Sequence, residues 1–131
     1  MSYTLFTDGA CKGNPGPGGW AFILLYPSGL EATFTGSEVK TTNNRMELMA
    51  VIEGLGFIPR GSEVKIVTDS KYCITVATSR NPKLKNADLV LHYHKLLSVV
   101  SATFEHVKGH NGHPYNERVD RLASNAATVK I

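Results

Sequence analysis

An α/β domain on a five-stranded mixed sheet is what this sequence predicts, and three observations predict it. Apolar, β-branched and aromatic runs crowd the first 36 residues with only short turn signals between them, the pattern of an antiparallel meander. Later strands, 63–68 and 102–106, are separated by segments of helical periodicity, as parallel strands require. At 131 residues, 42% of them apolar, the chain can bury one core without disulfides, and 1–131 reads as a single domain.

Each element has its own signal. Residues 3–7 (YTLFT) form a short strand that runs into Asp8 and Gly9, and 11–19 read as a glycine-rich loop. Residues 20–26 (WAFILLY) and 30–36 are strands joined by a turn at 27–29, a hairpin. Thr41, Thr42, Asn43 and Asn44 offer capping side chains ahead of RMELMAVIEGLGF. That segment is helical, with Leu48, Val51, Ile52 and Leu55 on one face. In the strand 63–68, Val64, Ile66 and Thr68 face one way and Lys65 and Val67 the other. Asp69-Ser70 opens a short helix through Ala77, a polar loop fills 79–85, and 88–98 form an amphipathic helix with Leu89, Tyr93, Leu96 and Leu97 at helical spacing. A strand at 102–106, a loop at 108–113 and a helix at 117–127, with Pro114 suited to its first turn, complete the order β-β-β-α-β-α-α-β-α.

Composition narrows the function. Net charge is +3, which assists an anionic partner without defining one. Cys11 and Cys73 form no CxxC pair, so a reduced, cytoplasmic protein is expected. No apolar run reaches the roughly 18 residues of a membrane helix, and no signal peptide begins at Met1. The loop segment GPGGWA loosely fits a dinucleotide-binding fingerprint, but a strand follows it where the pyrophosphate needs a helix. No Gly-Lys-Ser/Thr ends the loop, so a P-loop is excluded too. Its backbone amides from Cys11 to Asn14 lie beside Asp8, in reach of a sugar or phosphate. The loop serves the carboxylate.

The acids carry the chemistry. Asp8 and Asp69 stand in FTDG and IVTDS, each where a short apolar strand ends. If those strands are neighbours, both carboxylates emerge at the edge where open α/β sheets bind ligands. Either one alone reads equally as a turn or cap residue. Glu47, among the apolar residues of RMELMAVI, has Ala50 and Val51 at i+3 and i+4 and so faces the protein body. Asp120 is flanked in the same way by Ala123 and Ser124, although a solvated helix face explains it as well. Four half-buried carboxylates repel one another and bind protons tightly unless cations neutralise them. Hard, oxygen-preferring Mg²⁺ or Mn²⁺ suits such a set, whereas zinc wants His or Cys. His92 and His94 lie on different helix faces, and His106, His110 and His113 gather around a glycine-rich loop. Of these His110, between Gly109 and Asn111, is a candidate proton carrier, although loop histidines are commonly just solvated.

Five segments in register, TDGACKGNPGPGGW, TTNNRMELMA, TDSKY, KNADL and VKGHNGHPYNERVDRLA, together resemble type 1 ribonuclease H from Tyr3 to about Ala127. The resemblance implies the ribonuclease H-like fold and endonucleolytic cleavage of the RNA strand of RNA–DNA hybrids, leaving 5′-phosphate and 3′-hydroxyl ends. It implies that Asp8, Glu47, Asp69 and Asp120 hold two Mg²⁺ ions, roughly 3.5–4 Å apart, with Mn²⁺ as a substitute. His110 matches the family histidine that assists proton transfer or product release. Cys11, Gly13, Asn14 and Asn43 match positions that approach the RNA strand, where only the 2′-hydroxyl distinguishes RNA from DNA. Asn14, Thr42 and Arg45 match a pocket for a DNA phosphate, Asn44 faces the DNA strand or its bases, and Asn86 matches a further nucleic-acid contact. A bland alternative makes Asn43 the helix N-cap, with Thr42 sharing that role.

Two departures stand out. Many members carry an extra helix and a basic, tryptophan-bearing loop that clamps the DNA strand; here only 79–85 fills that place, with Arg80, Lys83 and Lys85. Trp20, the single tryptophan, sits in the hairpin and suits core packing. A lower hybrid affinity, or a partner domain supplying the clamp to an otherwise monomeric protein, is the expectation. Lys71 stands where the family commonly has an amide, and a lysine reaches a phosphate instead. A non-catalytic hybrid-binding module would lack one of the four acids, and none is missing. The nuclease part of a larger polymerase is the other alternative; a chain that starts at Met1 and ends four residues past Ala127 reads as complete.

Overall fold

The computed structural model describes residues 2–79, 85–108 and 113–127. In chain order they form β1 (Ser2–Cys11), β2 (Gly16–Leu25), β3 (Glu31–Thr41), α1 (Asn43–Leu55), β4 (Glu63–Thr68), α2 (Lys71–Ala77), α3 (Ala87–Leu97), β5 (Ser101–His106) and α4 (Pro114–Ala126). The five strands lie in the order β3-β2-β1-β4-β5. β1 and β2 pair antiparallel, as do β2 and β3, whereas β1 with β4 and β4 with β5 are parallel. The expected fold class is therefore the observed one.

Strand alternation divides the interior into two layers. Tyr3 and Leu5 of β1, Phe22 and Leu24 of β2, and Val64 and Ile66 of β4 pack with Leu48, Val51, Ile52 and Leu55 of α1 and with Tyr93 of α3. On the opposite face Phe6, Ile23 and Val67 meet Val119 of α4. α3 buries Val90 and Tyr93 most deeply, so its inner face is centred one residue off the Leu89–Leu96 row. Trp20 is half-buried, lies parallel to Phe22 with centroids 6.2 Å apart, and covers the bare backbone of Gly36. Core packing is its role.

The main difference from the sequence reading lies at the glycines. Residues 11–19 are not one loop: β1 continues to Cys11 and β2 begins at Gly16, with Ala10 opposite Gly19 and Cys11 opposite Gly18. Only 12–15 turn, closed by Lys12 N–H donating to the Pro17 carbonyl at 2.7 Å. β3 likewise runs on to Thr41, because β2 still offers it a partner as far as Gly16. Gly16, Gly18 and Gly19 are here for close approach rather than for turning, and in this segment only Gly13 turns the chain. A Cβ at Gly19 would strike the α4 backbone at Ala123 and Ala127, and one at Gly18 would strike Thr41 and Met46.

Gly9 is the tightest of these joints. A Cβ there would collide with the backbone at Met46 and Glu47, so α1 lies directly on the end of β1. Replacing Gly9 by alanine is expected to cost about 1–3 kcal/mol, the usual penalty for overpacking. Urea unfolding of the variant measures this, and an unchanged midpoint would mean that helix and strand do not touch there.

Candidate active site

β1 and β4 are central and parallel, in a register that sets Phe6 against Val67. Asp8, two residues further along β1, and Asp69, immediately past the end of β4, therefore come level with each other where the pairing of these two strands ends. Glu47 arrives from α1, whose N-terminus is anchored by Thr42: its hydroxyl accepts the Arg45 N–H at 3.4 Å. One oxygen from each of Asp8, Glu47 and Asp69 lies within 4.8 Å of the other two. Asp8 is 4% exposed and Glu47 5%, so water screens their repulsion poorly.

Asp120 joins from the other side of the sheet, within hydrogen-bonding reach of Asp8 and with its charge felt at Asp69. α4 is set in place by Val119 in the lower core and by the Tyr115 ring stacked on Phe6 at 4.4 Å. At its rim the Tyr115 hydroxyl donates to Glu31 at 2.9 Å, and Arg118 pairs with the same carboxylate at 3.2 Å.

Two residues not among the expected site residues also belong here: Ser70, read as a helix start, and His106, read as one of the histidines around the glycine-rich loop. Ser70 caps α2, accepting from Cys73 N–H at 3.2 Å, and its side chain also hydrogen-bonds Glu47. His106, at the end of β5, pairs through Nε2 with the Asp69 carbonyl at 3.2 Å. Its position beside Asp69 follows from the β4–β5 register, in which Thr68 lies opposite His106. His113 is structural, since its Nδ1 accepts the Asn116 N–H at 3.4 Å and caps α4. His110 lies outside the described residues, as do Arg80 and Lys83.

The residues matched to substrate contacts form a rim around this edge. The Cys11 thiol is half-buried and donates to the carbonyls of Thr41 and Gly16, at 3.4 and 3.5 Å. Gly13 turns the chain at φ 83°, and the Asn14 side-chain oxygen accepts the Asn43 N–H at 3.1 Å. The N-cap is thus Thr42 and not Asn43; Asn43 opens the helix itself, its amide taken by Asn14. Asn43, Asn44 and Lys71 are exposed. Arg45 is gripped by Asp88 at 2.9 and 3.1 Å, with the Asn86 oxygen at 3.2 Å. Asn86, left-handed at φ 62°, donates in turn to the Tyr72 hydroxyl at 3.0 Å. The hydrogen bonds from Arg45 hold the Asp88 carboxyl well below the usual carboxylate range.

Protonation follows from this packing. Burial, then the charge of Glu47, pushes the Asp8 carboxyl far above its ordinary value. Burial raises Glu47 as well, against hydrogen bonds from Asp8, the Gly9 N–H at 2.7 Å and Ser70. Asp69 is raised by burial and by Asp120, opposed by Asp8 and His106. The arrangement holds protons where a divalent cation fits, since the donors are all carboxylate oxygens and every one gains from a positive charge between them.

An α/β protein with acids converging at the carboxyl edge of its two central parallel strands, in an arrangement compatible with a divalent cation, is the class that fold and site define. Known proteins place it more closely. The model of the RNase H family matches residues 1–128. Ribonuclease H of Erythrobacter litoralis is 46% identical over 143 residues, covering 96% of each chain. Ribonuclease H of Pseudomonas putida W619 is 45% identical over 136 residues, 94% of this chain and 91% of its own. Among solved structures, LC9-RNase H1, a type 1 RNase H with the type 2 active-site motif, superposes with a TM-score of 0.82 at 29% identity, over 96% of this chain and 72% of its own. The chain belongs to the type 1 RNase H family.

Buried acids with raised proton affinity carry a definite sign in stability. The folded chain holds more protons than the unfolded one, so stability falls as pH rises from about 4, where free carboxyls titrate, through neutrality. In EDTA the melting temperature is expected to fall from about pH 5 to about pH 8, and Asp8→Asn to flatten that fall. Scanning fluorimetry across this range is the check; a wild-type melting temperature that climbs with pH would contradict the acid cluster.

Proposed function

We propose that this chain hydrolyses the RNA strand of RNA–DNA hybrids at the edge where Asp8, Glu47, Asp69 and Asp120 meet. The observation that carries it is the approach of three of these carboxylates within 4.8 Å of one another, in a member of the RNase H family. The set suits Mg²⁺, with Mn²⁺ as a substitute, and two ions held by the four acids are the arrangement proposed. Asp8, Glu47, Asp69 and Asp120 would hold these ions, which would supply water activation and charge neutralisation at the leaving 3′ oxygen for a cleavage that leaves 5′-phosphate and 3′-hydroxyl ends.

The chain's own residues do the rest. Glu47 is fixed by the Gly9 amide, so its carboxylate does not swing to meet the ligand. Preorganisation of this kind removes reorganisation cost from the reaction. His110 is the candidate for carrying a proton at the leaving group. Substrate recognition is assigned to Cys11, Gly13, Asn14 and Asn43 on the RNA strand, and to Asn44, Lys71 and Asn86 elsewhere on the hybrid. Asn14, Thr42 and Arg45 are assigned a DNA phosphate. Arg45 comes to it already aligned by Asp88, which limits the side-chain entropy lost on binding. The protein is proposed to act as a cytoplasmic monomer, or with a partner domain that supplies a basic clamp. Among the described residues no helix is long and apolar enough to cross a membrane.

Labelled RNA–DNA, RNA–RNA and DNA–DNA duplexes incubated with Mg²⁺ or with EDTA test the reading. Only the RNA of the hybrid should be cut, and only with the metal. Asp69→Asn should lower that rate by on the order of 10²–10³-fold or more while leaving folding and hybrid binding intact; full turnover would remove Asp69 from the site. Arg45→Ala should weaken hybrid binding about tenfold, loss of one charge-assisted contact, with little change in the cleavage step. The opposite split, measured by titration and single-turnover kinetics, would take Arg45 off the phosphate.

A further inference from the structure

Among the described residues, three buried side-chain polar atoms have no hydrogen-bond partner: the Thr7 hydroxyl, and both the amide nitrogen and the oxygen of Asn116. Their positions are not scattered. Thr7 immediately precedes Asp8, and Asn116 lies one helical turn before Asp120. Asn116 is 2% exposed, in the first turn of α4. Buried amides in folded proteins almost always find partners, and a group left without one marks a place where function outweighs stability.

Helix geometry says what this amide serves. Residues four apart share a face, and helical side chains lean toward the N-terminus, so the Asp120 carboxylate is inclined over the turn that carries Asn116. Val119, between them in sequence, packs against Phe6 and Val67, which lie two residues before Asp8 and Asp69 on their strands. The His113 ring lies 5.9 Å from that of Phe6, centroid to centroid. The first two turns of α4 thus cover the strand ends that carry the acids. The backbone N–H of Asn116 is already taken by His113, which leaves the side chain as the free group.

From this we infer that Asn116 is a positioning residue for Asp120: with a divalent cation in the acidic site, its side-chain N–H donates to the Asp120 carboxylate and fixes the orientation in which that carboxylate meets the ion. The inference rests on the reading of Asp120 as a metal-holding acid. A partner of this kind behind a ligand typically changes metal affinity 10–100-fold. Without the ion the amide stabilises nothing, and its burial is a cost.

That combination separates positioning from structure. Asn116→Leu keeps the branched outline of the side chain, though with bulkier ends, and removes the unpartnered amide; Asn116→Ser keeps a donor on a shorter arm. Mn²⁺ binding is read by calorimetry without nucleic acid, and melting temperature in EDTA. Asn116→Leu is expected to bind Mn²⁺ about tenfold more weakly with an EDTA melting temperature equal to or above wild type. Asn116→Ser should fall between them in affinity. A lower melting temperature for Asn116→Leu in EDTA would make the amide structural and overturn the inference, as would an unchanged Mn²⁺ affinity. Asp120→Asn, measured alongside, separates the two failures. If it too leaves Mn²⁺ affinity unchanged, Asp120 is not a metal ligand; if it alone weakens binding, only the role of Asn116 is lost.

Discussion

Like charges held together in a dry place are the least favourable contact in this molecule, and much else exists to hold them. Asp8, Glu47 and Asp69 come from three different parts of the chain, β1, α1 and the residue after β4, and each is placed by its own backbone. Parallel pairing of β1 and β4 fixes two of them at the same height on the sheet. The third is delivered by a helix resting directly on the strand backbone at Gly9, whose N–H takes the Glu47 carboxylate. Repulsion that would drive free carboxylates apart is met by main-chain geometry and by protons, which burial holds on these acids above their ordinary range.

Around this centre the rim is built on a different plan. Asn14, Thr42, Asn86 and Arg45 all make contacts within the protein, so the side chains proposed for substrate contact are already held in place. The Arg45–Asp88 pair also ties α1 to the start of α3, bridging 43 positions of sequence. As an exposed ion pair it adds little stability. Its value lies in direction: a guanidinium held by a carboxylate on one side presents its remaining N–H groups on the other.

The number, order and type of the nine elements were legible because each carries a local signal: period two in the strands, period 3.6 in the helices, turn residues between. What local signals misread was glycine. Gly16, Gly18 and Gly19 look like a loop in sequence, yet they are strand residues: the missing side chain makes room for the Lys12 carbonyl at Gly16, for Thr41 and Met46 at Gly18, and for α4 at Gly19. Space is a property of the assembled fold and leaves no periodic trace. Asp8 and Asp69 could be paired from sequence because strand ends are easy to see and parallel neighbours bring them level. Ser70 and His106 could not, since each becomes part of the site only through the β4–β5 register or the approach of Glu47. Asn116 was hidden for another reason: a search for buried helix faces counts apolar residues, and here a polar one occupies a buried position.

The seam between β2 and α4 has a consequence for how this chain can vary. Gly19 meets the carbonyl of Ala123 and the amide of Ala127 with no room for a single methyl group. That seam sets the height of α4, and Asp120 rides one turn before Ala123. Substitutions here would lift an acid away from its companions without touching it. The height of an acid on α4 thus depends on Gly19 in β2, a dependence that inspecting the acidic side chains alone does not reveal.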